Sequence, residues 1–307
     1  MALTYSDITA TTLKFFEKKL YDNIFRKYPI TEKLLSAGQV KEFESGEKIF
    51  IPIEYGTNST VAFIGKNGTI STDPQALFTA AEDSWRILAG TVLFNDLDNV
   101  LNRGAAQIVD LMKSKIKNLE KTMQKTLASS LHTAQTGEAI NGIPDIVSVS
   151  TTLHGIAVAD FAGWISGYVS DSAVPLTIAA MDIAYNTLSD GSDTVNLIDS
   201  SQTLYQKYVS LVTPQLRFSD TRTVDAGFEN VKFHRAAVVL DKDCTSDRQY
   251  YLNTDYLYLA VVKDRKFHSF PAVQAANQIN DVVKVVCYLN LMTSCRKMQG
   301  MLDGRTV

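Results

Sequence analysis

The stretch 249-QYYLNTDYLYLAVV-262 sets Tyr250, Tyr251, Tyr256 and Tyr258 among leucines and valines, and none of its residues is an obvious reagent. Tyrosine is a wide, rigid side chain with a hydroxyl that tolerates partial exposure, and it is enriched where proteins meet proteins. The stretch therefore reads in two ways: as a contact surface, or as strand residues laid over one core. Immediately before it, 236-AAVVL-240 predicts a buried strand, and 241-DKDCTSD-247 predicts a solvated acidic turn. The turn has the acid spacing of a calcium loop. It fails as one because Ser246 stands where the sharp-turn glycine belongs and Leu252 where the bidentate glutamate belongs. Beyond it, 281-DVVKVVCYLNLMTSC-295 predicts a long strand, with Val283, Val285, Cys287, Leu289 and Leu291 on one apolar face.

Moving toward the N-terminus, 175-PLTIAAMDIAYNTLSDG-191 predicts a helix that opens near Pro175 and stops before Gly191, with a strand in 194-TVNLIDS-200 and a helix in 201-SQTLYQKYVSLV-212. The longest helical pattern is 102–135. Its apolar stripe includes Ile108, Ile116, Leu119, Met123, Leu127 and Leu131, and Lys113, Lys117, Lys121 and Lys125 recur every four residues beside it. That ladder reads either as a solvated face or as a surface lying near a polyanion. In 47-EKIFIPIEY-55 the period becomes two, with Ile49, Ile51, Ile53 and Tyr55 facing one way, and Pro52 confines the run to an edge strand. A return strand is expected in 81-AEDSWRILAGTVLF-94. Between them, 56–74 is rich in Gly, Asn, Ser and Thr, with a short VAFI strand and a GKNG turn. Residues 8–28 predict an amphipathic helix ended by Pro29.

The bulk numbers narrow the function classes. The chain has 307 residues, enough for one large domain or two modest ones. A net charge of −3 argues against a dedicated nucleic-acid binder, whose domain is usually strongly basic. Cys244, Cys287 and Cys295 show no CxxC spacing and read as reduced thiols in a cytosolic setting. No run approaches the ~20 apolar residues of a membrane span, and the N-terminus carries no signal-peptide core. His132, His154, His234 and His268 are scattered, with no pair at ligand spacing. No nucleophile elbow and no phosphate-binding glycine loop occurs, so no catalytic residue, cofactor or metal is assigned.

In order, these segments resemble the major capsid proteins of tailed bacteriophages, of the Hong Kong 97-type fold. The likeness rests on 197-LIDSSQTLYQKYVSLV-212 followed by 224-VDAGFENVKFHRAAVVLDKDC-244, on 250-YYLNTDYLYL-259, and on the closing order Gln274, Asp281, Arg296, Gly300. It spans nearly the whole chain, through structural motifs of low individual specificity. The resemblance implies an α+β fold with an N-terminal arm (1–38), an extended E-loop hairpin (39–96), a peripheral domain (97–150 with 265–307) around a spine helix at 102–135, and an axial domain (151–264). It implies no enzyme and no cofactor. The partners it implies are copies of the chain itself in pentamers, hexamers and a closed icosahedral shell, packaged double-stranded DNA held by weak non-specific contact, a portal, and decoration proteins. A separate scaffolding protein is also expected, because no long segment like a fused scaffolding domain precedes the arm. The location implied is the virion capsid, assembled in a bacterial host cytoplasm.

By the same resemblance, Phe16, Phe25, Pro52, Tyr55, Phe63 and Lys66 are candidates for inter-subunit contact, and Lys113, Lys117, Lys121 and Lys125 for the DNA-facing inner surface. Lys66 also lies near the loop tip where some members of the family crosslink to a neighbour's asparagine. Two alternatives stand beside the viral shell. One is a cellular encapsulin-like nanocompartment of the same fold. The other, of another class, is a cytosolic hydrolase using Asp241 or Asp243 with His234, which requires those side chains to converge.

Overall fold

A run of alternating isoleucines with an interior proline closes a hairpin: β2 (Lys48–Glu54) pairs antiparallel with β3 (Phe78–Ser84), Pro52 opposite Ala80, in a two-stranded sheet. Ile49, Ile51, Ile53 and Ala81 are buried while Lys48, Phe50, Pro52 and Glu54 face water, as strand alternation requires. This computed structural model describes residues 28–35, 38–44, 46–54, 56–95, 111–159, 161, 163–171, 173–216, 231–274 and 280–306. They fall into two units, one built from 89–124 and 267–286 and the other from 27–88, 125–266 and 287–307. The expected amphipathic helix at 8–28 lies almost wholly outside the described residues.

In chain order the larger unit begins with α1 (Pro29–Leu35), whose Ile30 and Leu34 are buried, and β1 (Val40–Phe43). β1 pairs in parallel with β10 (Leu257–Val262), and β10 pairs antiparallel with the second half of β13 (Asn280–Thr293), with Leu259 opposite Leu291. A second, six-stranded sheet runs in the order β5 (Tyr168–Asp171), β14 (Gly300–Asp303), β9 (Gln249–Leu252), β6 (Leu197–Ser200), β8 (Ala236–Leu240), β7 (Val231–Phe233). α4 (Ile178–Thr187) and α5 (Gln202–Leu216) cover it, and Met181, Tyr185, Leu204 and Tyr208 join Ile198, Val238 and Tyr251 in one core cluster. α4 starts at Thr177, whose hydroxyl accepts from the Ala180 N–H at 3.2 Å. α3 is a single turn, Ile143–Ile146.

The smaller unit holds most of β4 (Arg86–Asn95), the first two-thirds of α2 (Leu111–Leu131), and β11 and β12 (His268–Ser269, Val273–Gln274), which pair with the first half of β13. A Cβ at Gly90 would meet Leu119 Cδ1 at 2.6 Å, so the Leu119 side chain packs directly over that glycine. α2 and β13 each run through both units. Among the described residues no helix is long and apolar enough to cross a membrane.

Three expectations are corrected. The long helix ends at Leu131, four residues early, because a tighter last turn forms there: the N–H groups of His132 and Thr133 donate to the carbonyls of Ser129 and Ser130. The VAFI strand does not form, since residues 56–77 contain no ladder. The contact-surface reading of the tyrosines also fails: Tyr250 and Tyr251 lie on β9, paired on both edges and covered on both faces, and Tyr258 is buried on β10. Burial pushes the Tyr258 phenol up to about 12. Tyr256 stays partly exposed, its hydroxyl bonded to Asp193.

Candidate assembly surfaces and buried polar centres

Between β2 and β3 the chain leaves the hairpin for residues 56–77 with only local support. The Gly68 N–H donates to the Gly65 carbonyl at 2.9 Å and closes the GKNG turn. Asn58 and Ser71 make side-chain turns with Thr60 and Asp73, and Ser59 donates to Gln75 at 2.8 Å. On this scaffold Val61 is 81% exposed, Ile70 69% and Phe63 110%, and Ile64 and Phe78 are also exposed. Full burial of one such side chain is worth about 1.5–3 kcal/mol, so each of them left in water forgoes that much. Lys66 is exposed at the turn and Pro52 on the wet side of β2. Phe16, Phe25 and Tyr55 lie outside the described residues.

On α2 the lysine ladder flanks the apolar stripe. Lys113, Lys117 and Lys125 are exposed and Lys121 is half-buried, while Met123, Leu127, Ala128 and Leu131 are buried. Lys115, beside the ladder, places its Nζ 5.6 Å from the Phe94 ring centroid.

The larger unit carries three buried polar centres. In the first, His132 Nε2 lies 2.8 Å from Asp199 Oδ2 and 3.9 Å from Asp241 Oδ2, and Nδ1 lies 3.1 Å from the Ala128 carbonyl. Both ring nitrogens face acceptors, which calls for the imidazolium form. Burial opposes that charge, but the hydrogen bond and charge of Asp199, with that of Asp241, hold the pKa up to about 9. Burial and the Asp199 charge push Asp241 up to about 6. Burial likewise drives the nearby Cys244 thiol far above its ordinary range, which leaves it inert. None of Cys244, Cys287 and Cys295 is in a disulfide.

In the second centre, the Thr293 N–H donates to His154 Nε2 at 3.2 Å, so Nδ1 carries the proton and donates to Asp83 Oδ2 at 2.9 Å. Asn141 Nδ2 donates to the same oxygen at 2.6 Å. Burial works to raise the Asp83 pKa, but these bonds outweigh it and bring it below the ordinary carboxylate value. In the third, Arg296, 1% exposed, gives all five N–H groups to the carbonyls of Asp145, Ile146, Thr151 and Trp164 and to the Thr151 hydroxyl, at 2.8–3.1 Å.

The acidic turn is thus not a simple solvated one. Asp243 is exposed, but the Asp241 N–H donates to the Ser200 carbonyl at 3.0 Å, extending the β6–β8 ladder by one residue and drawing the carboxylate inside. The hydrolase trio does not converge either. His234 Nε2 bonds Asp182 Oδ1 at 2.7 Å before β8 begins, whereas Asp241 follows its end, about 20 Å of strand away. Sequence reading missed His132 and Asp199 as partners. The available signal was the acid inside the apolar strand 197–200, at the carboxyl end of a parallel pair.

Neither a protein-family model nor a curated protein matches the sequence. Solved structures do. A capsid asymmetric unit of cyanophage A-1(L) aligns with a TM-score of 0.75 at 17% identity, over 99% of this chain and 100% of that one. The capsid of a native GTA particle aligns with a TM-score of 0.70 at 10% identity, over 98% of each chain. A holo-SrpI encapsulin complex from Synechococcus elongatus PCC 7942 aligns with a TM-score of 0.68 at 7% identity, over 99% of this chain and 96% of that one. The chain has the major-capsid-protein fold of tailed phages, shared with an encapsulin.

Proposed function

We propose, with the capsid-protein fold as premise, that this chain is the shell-forming subunit of a tailed-phage capsid, assembling through pentamers and hexamers around double-stranded DNA. The observation that carries the reading is the excursion 56–77. Its apolar side chains stand in water on a loop without a ladder, and a second subunit is the natural surface to cover them. In this reading 39–96 is the E-loop, 1–38 the arm, 97–150 with 265–307 the peripheral domain and 151–264 the axial domain. Phe63, Lys66 and Pro52 meet a neighbour, as do Phe16, Phe25 and Tyr55. Weak pairwise contacts let misplaced subunits dissociate, and closure adds them into a stable whole. A scaffolding protein, a portal and decoration proteins complete the set of partners, and assembly takes place in a bacterial host cytoplasm.

Deleting residues 56–74 tests this. The variant is expected to fold, by circular dichroism, and to give no particles by electron microscopy under conditions where the intact chain, with its scaffold, gives shells. Normal particles from the deletion refute the loop assignment.

The likeness to an encapsulin favours a second reading, a cellular nanocompartment enclosing protein. The lysine ladder separates the two. If Lys117, Lys121 and Lys125 face DNA, replacing all three by Gln leaves shells intact and lowers nuclease-protected DNA in them. Shells from the native host that hold protein cargo and no protected DNA favour the compartment.

A further inference from the structure

His132, Asp199 and Asp241 arrive from three separate segments of the larger unit: the end of α2, strand β6 and the residue after β8. All three are buried, and one ligating atom from each lies within 4.8 Å of the others. Buried polar atoms in folded proteins nearly always have partners. Here two do not: Asp199 Oδ1 and Asp241 Oδ2 are shielded from solvent and accept no hydrogen bond. Asp241 Oδ2 is also the atom aimed at His132 Nε2, 3.9 Å away. Two further atoms, one on His132 and one on Asp241, are held from outside the cluster, as metal-binding side chains usually are. The Ala128 carbonyl orients the imidazole through Nδ1, and the Asp243 N–H holds Asp241 Oδ1 at 3.0 Å.

We infer that His132 Nε2, Asp199 and Asp241 Oδ2 form a structural site for a divalent transition-metal cation such as Zn²⁺, acquired as the subunit folds and tying α2 to the ends of β6 and β8. One imidazole nitrogen with carboxylate oxygens is a donor set that Zn²⁺ accepts. Charge supports it. An imidazolium between two carboxylates leaves the buried cluster one negative charge in excess, whereas a divalent ion with neutral imidazole leaves none, and excess buried charge is costly. Distance supports it too. Metal–ligand bonds near 2.0–2.2 Å set tetrahedral ligand edges of about 3.4 Å, which lies between the observed 2.8 and 3.9 Å. Small rotations of the two carboxylates reach it, and Asp199 Oδ1 stands by as a further donor. The segments that meet here are far apart in sequence, so such an ion links parts that local structure does not.

The test uses the full-length chain, stripped with chelator, dialysed, and titrated with ZnCl₂ by calorimetry beside Asp241→Asn and His132→Gln. One Zn²⁺ per chain is expected, weakened at least ~10-fold in both variants. No one-to-one binding to the intact chain overturns the assignment, as does binding unchanged in folded variants. If either variant fails to fold, Co²⁺ added to the intact chain decides. Intense visible ligand-field bands of a four- or five-coordinate ion support the site, and the weak spectrum of six-coordinate aqueous Co²⁺ refutes it.

Discussion

Replacing Arg296 by Met removes a buried side chain that makes five hydrogen bonds and keeps roughly its length. Five charge-assisted hydrogen bonds disappear together. Each is worth about 1.5–3 kcal/mol net in isolation, but they share one group and do not add. The better guide is the ~3–5 kcal/mol lost when a buried charged network is stripped of one partner, because carbonyls placed for the guanidinium are then left facing a thioether. Some of that loss is returned, since burial has already drawn the Arg296 pKa down to about 10, the mark of a desolvation cost that Met does not carry. The expected destabilisation is about 4 kcal/mol. Arg296→Lys keeps the charge but brings three donors on one atom to an array built for a flat fork, and about 2–3 kcal/mol is expected to go. Urea unfolding of the unassembled subunit, followed by tryptophan fluorescence, reads the change directly, since the Trp164 carbonyl is one of the acceptors. With a slope near 2–3 kcal/mol/M, the Met variant's midpoint falls by roughly 1.3–2 M. A Met variant within about 1 kcal/mol of the parent shows that the network contributes no stability and refutes the reasoning.

Three further perturbations probe other parts. Asp83 has a folded pKa below its unfolded value of about 3.9, so its contribution is complete above that pH and disappears as pH falls through the folded pKa. Asp83→Asn is therefore expected to flatten the drop in urea midpoint between pH 5 and pH 2.5, and an unchanged drop counts against the role of the bonds from His154 and Asn141. Gly167→Ala sets a Cβ 2.0 Å from the Lys297 carbonyl, a backbone atom that cannot swing aside. A loss of about 3 kcal/mol or more is expected in calorimetric melting, and a near-parental Tm shows that the two segments separate easily. Phe63→Ser removes a fully exposed ring, so the melting temperature should not move, while shell yield by electron microscopy should fall. A variant that melts lower shows that the loop packs on its own body.

Periodicity made the regular elements legible. β8 forms over 236–240 as expected, β13 runs from 280 to 293, and the isoleucines of β2 alternate between core and water, because strand and helix periods are local properties of the backbone. The failures share one cause, which is that ladders and layers are long-range. The tyrosines of β9 looked like a contact surface because a central strand covered on both faces shows no alternation to betray it. Asp241 looked solvated because its neighbours are polar, yet one extra rung to Ser200 put it in the core. Arg296 stood out only through the family's closing order. Its acceptors lie about 150 positions upstream, where nothing in the sequence advertises a cation site. Gly300 in the same order has a plain reason: a Cβ there would meet the Tyr168 carbonyl at 2.6 Å.

The contrast between Arg296 and Phe63 fits the shell subunit proposed above. The buried centres satisfy nearly every donor within the chain, so the larger unit does not depend on neighbours for its polar staples. The loop does the reverse, holding apolar area in water with only local turns to shape it. Covering Phe63 alone on a second subunit contributes about 2 kcal/mol, a factor of roughly 30 in the association constant. That is enough to bias an incoming subunit and too little to trap a misplaced one. Had the same ring been built into the core, the subunit would be more stable but would offer a neighbour nothing to cover. Leaving it exposed costs the monomer solubility, and the scaffold partner proposed above is the natural means of managing that exposure until closure covers it.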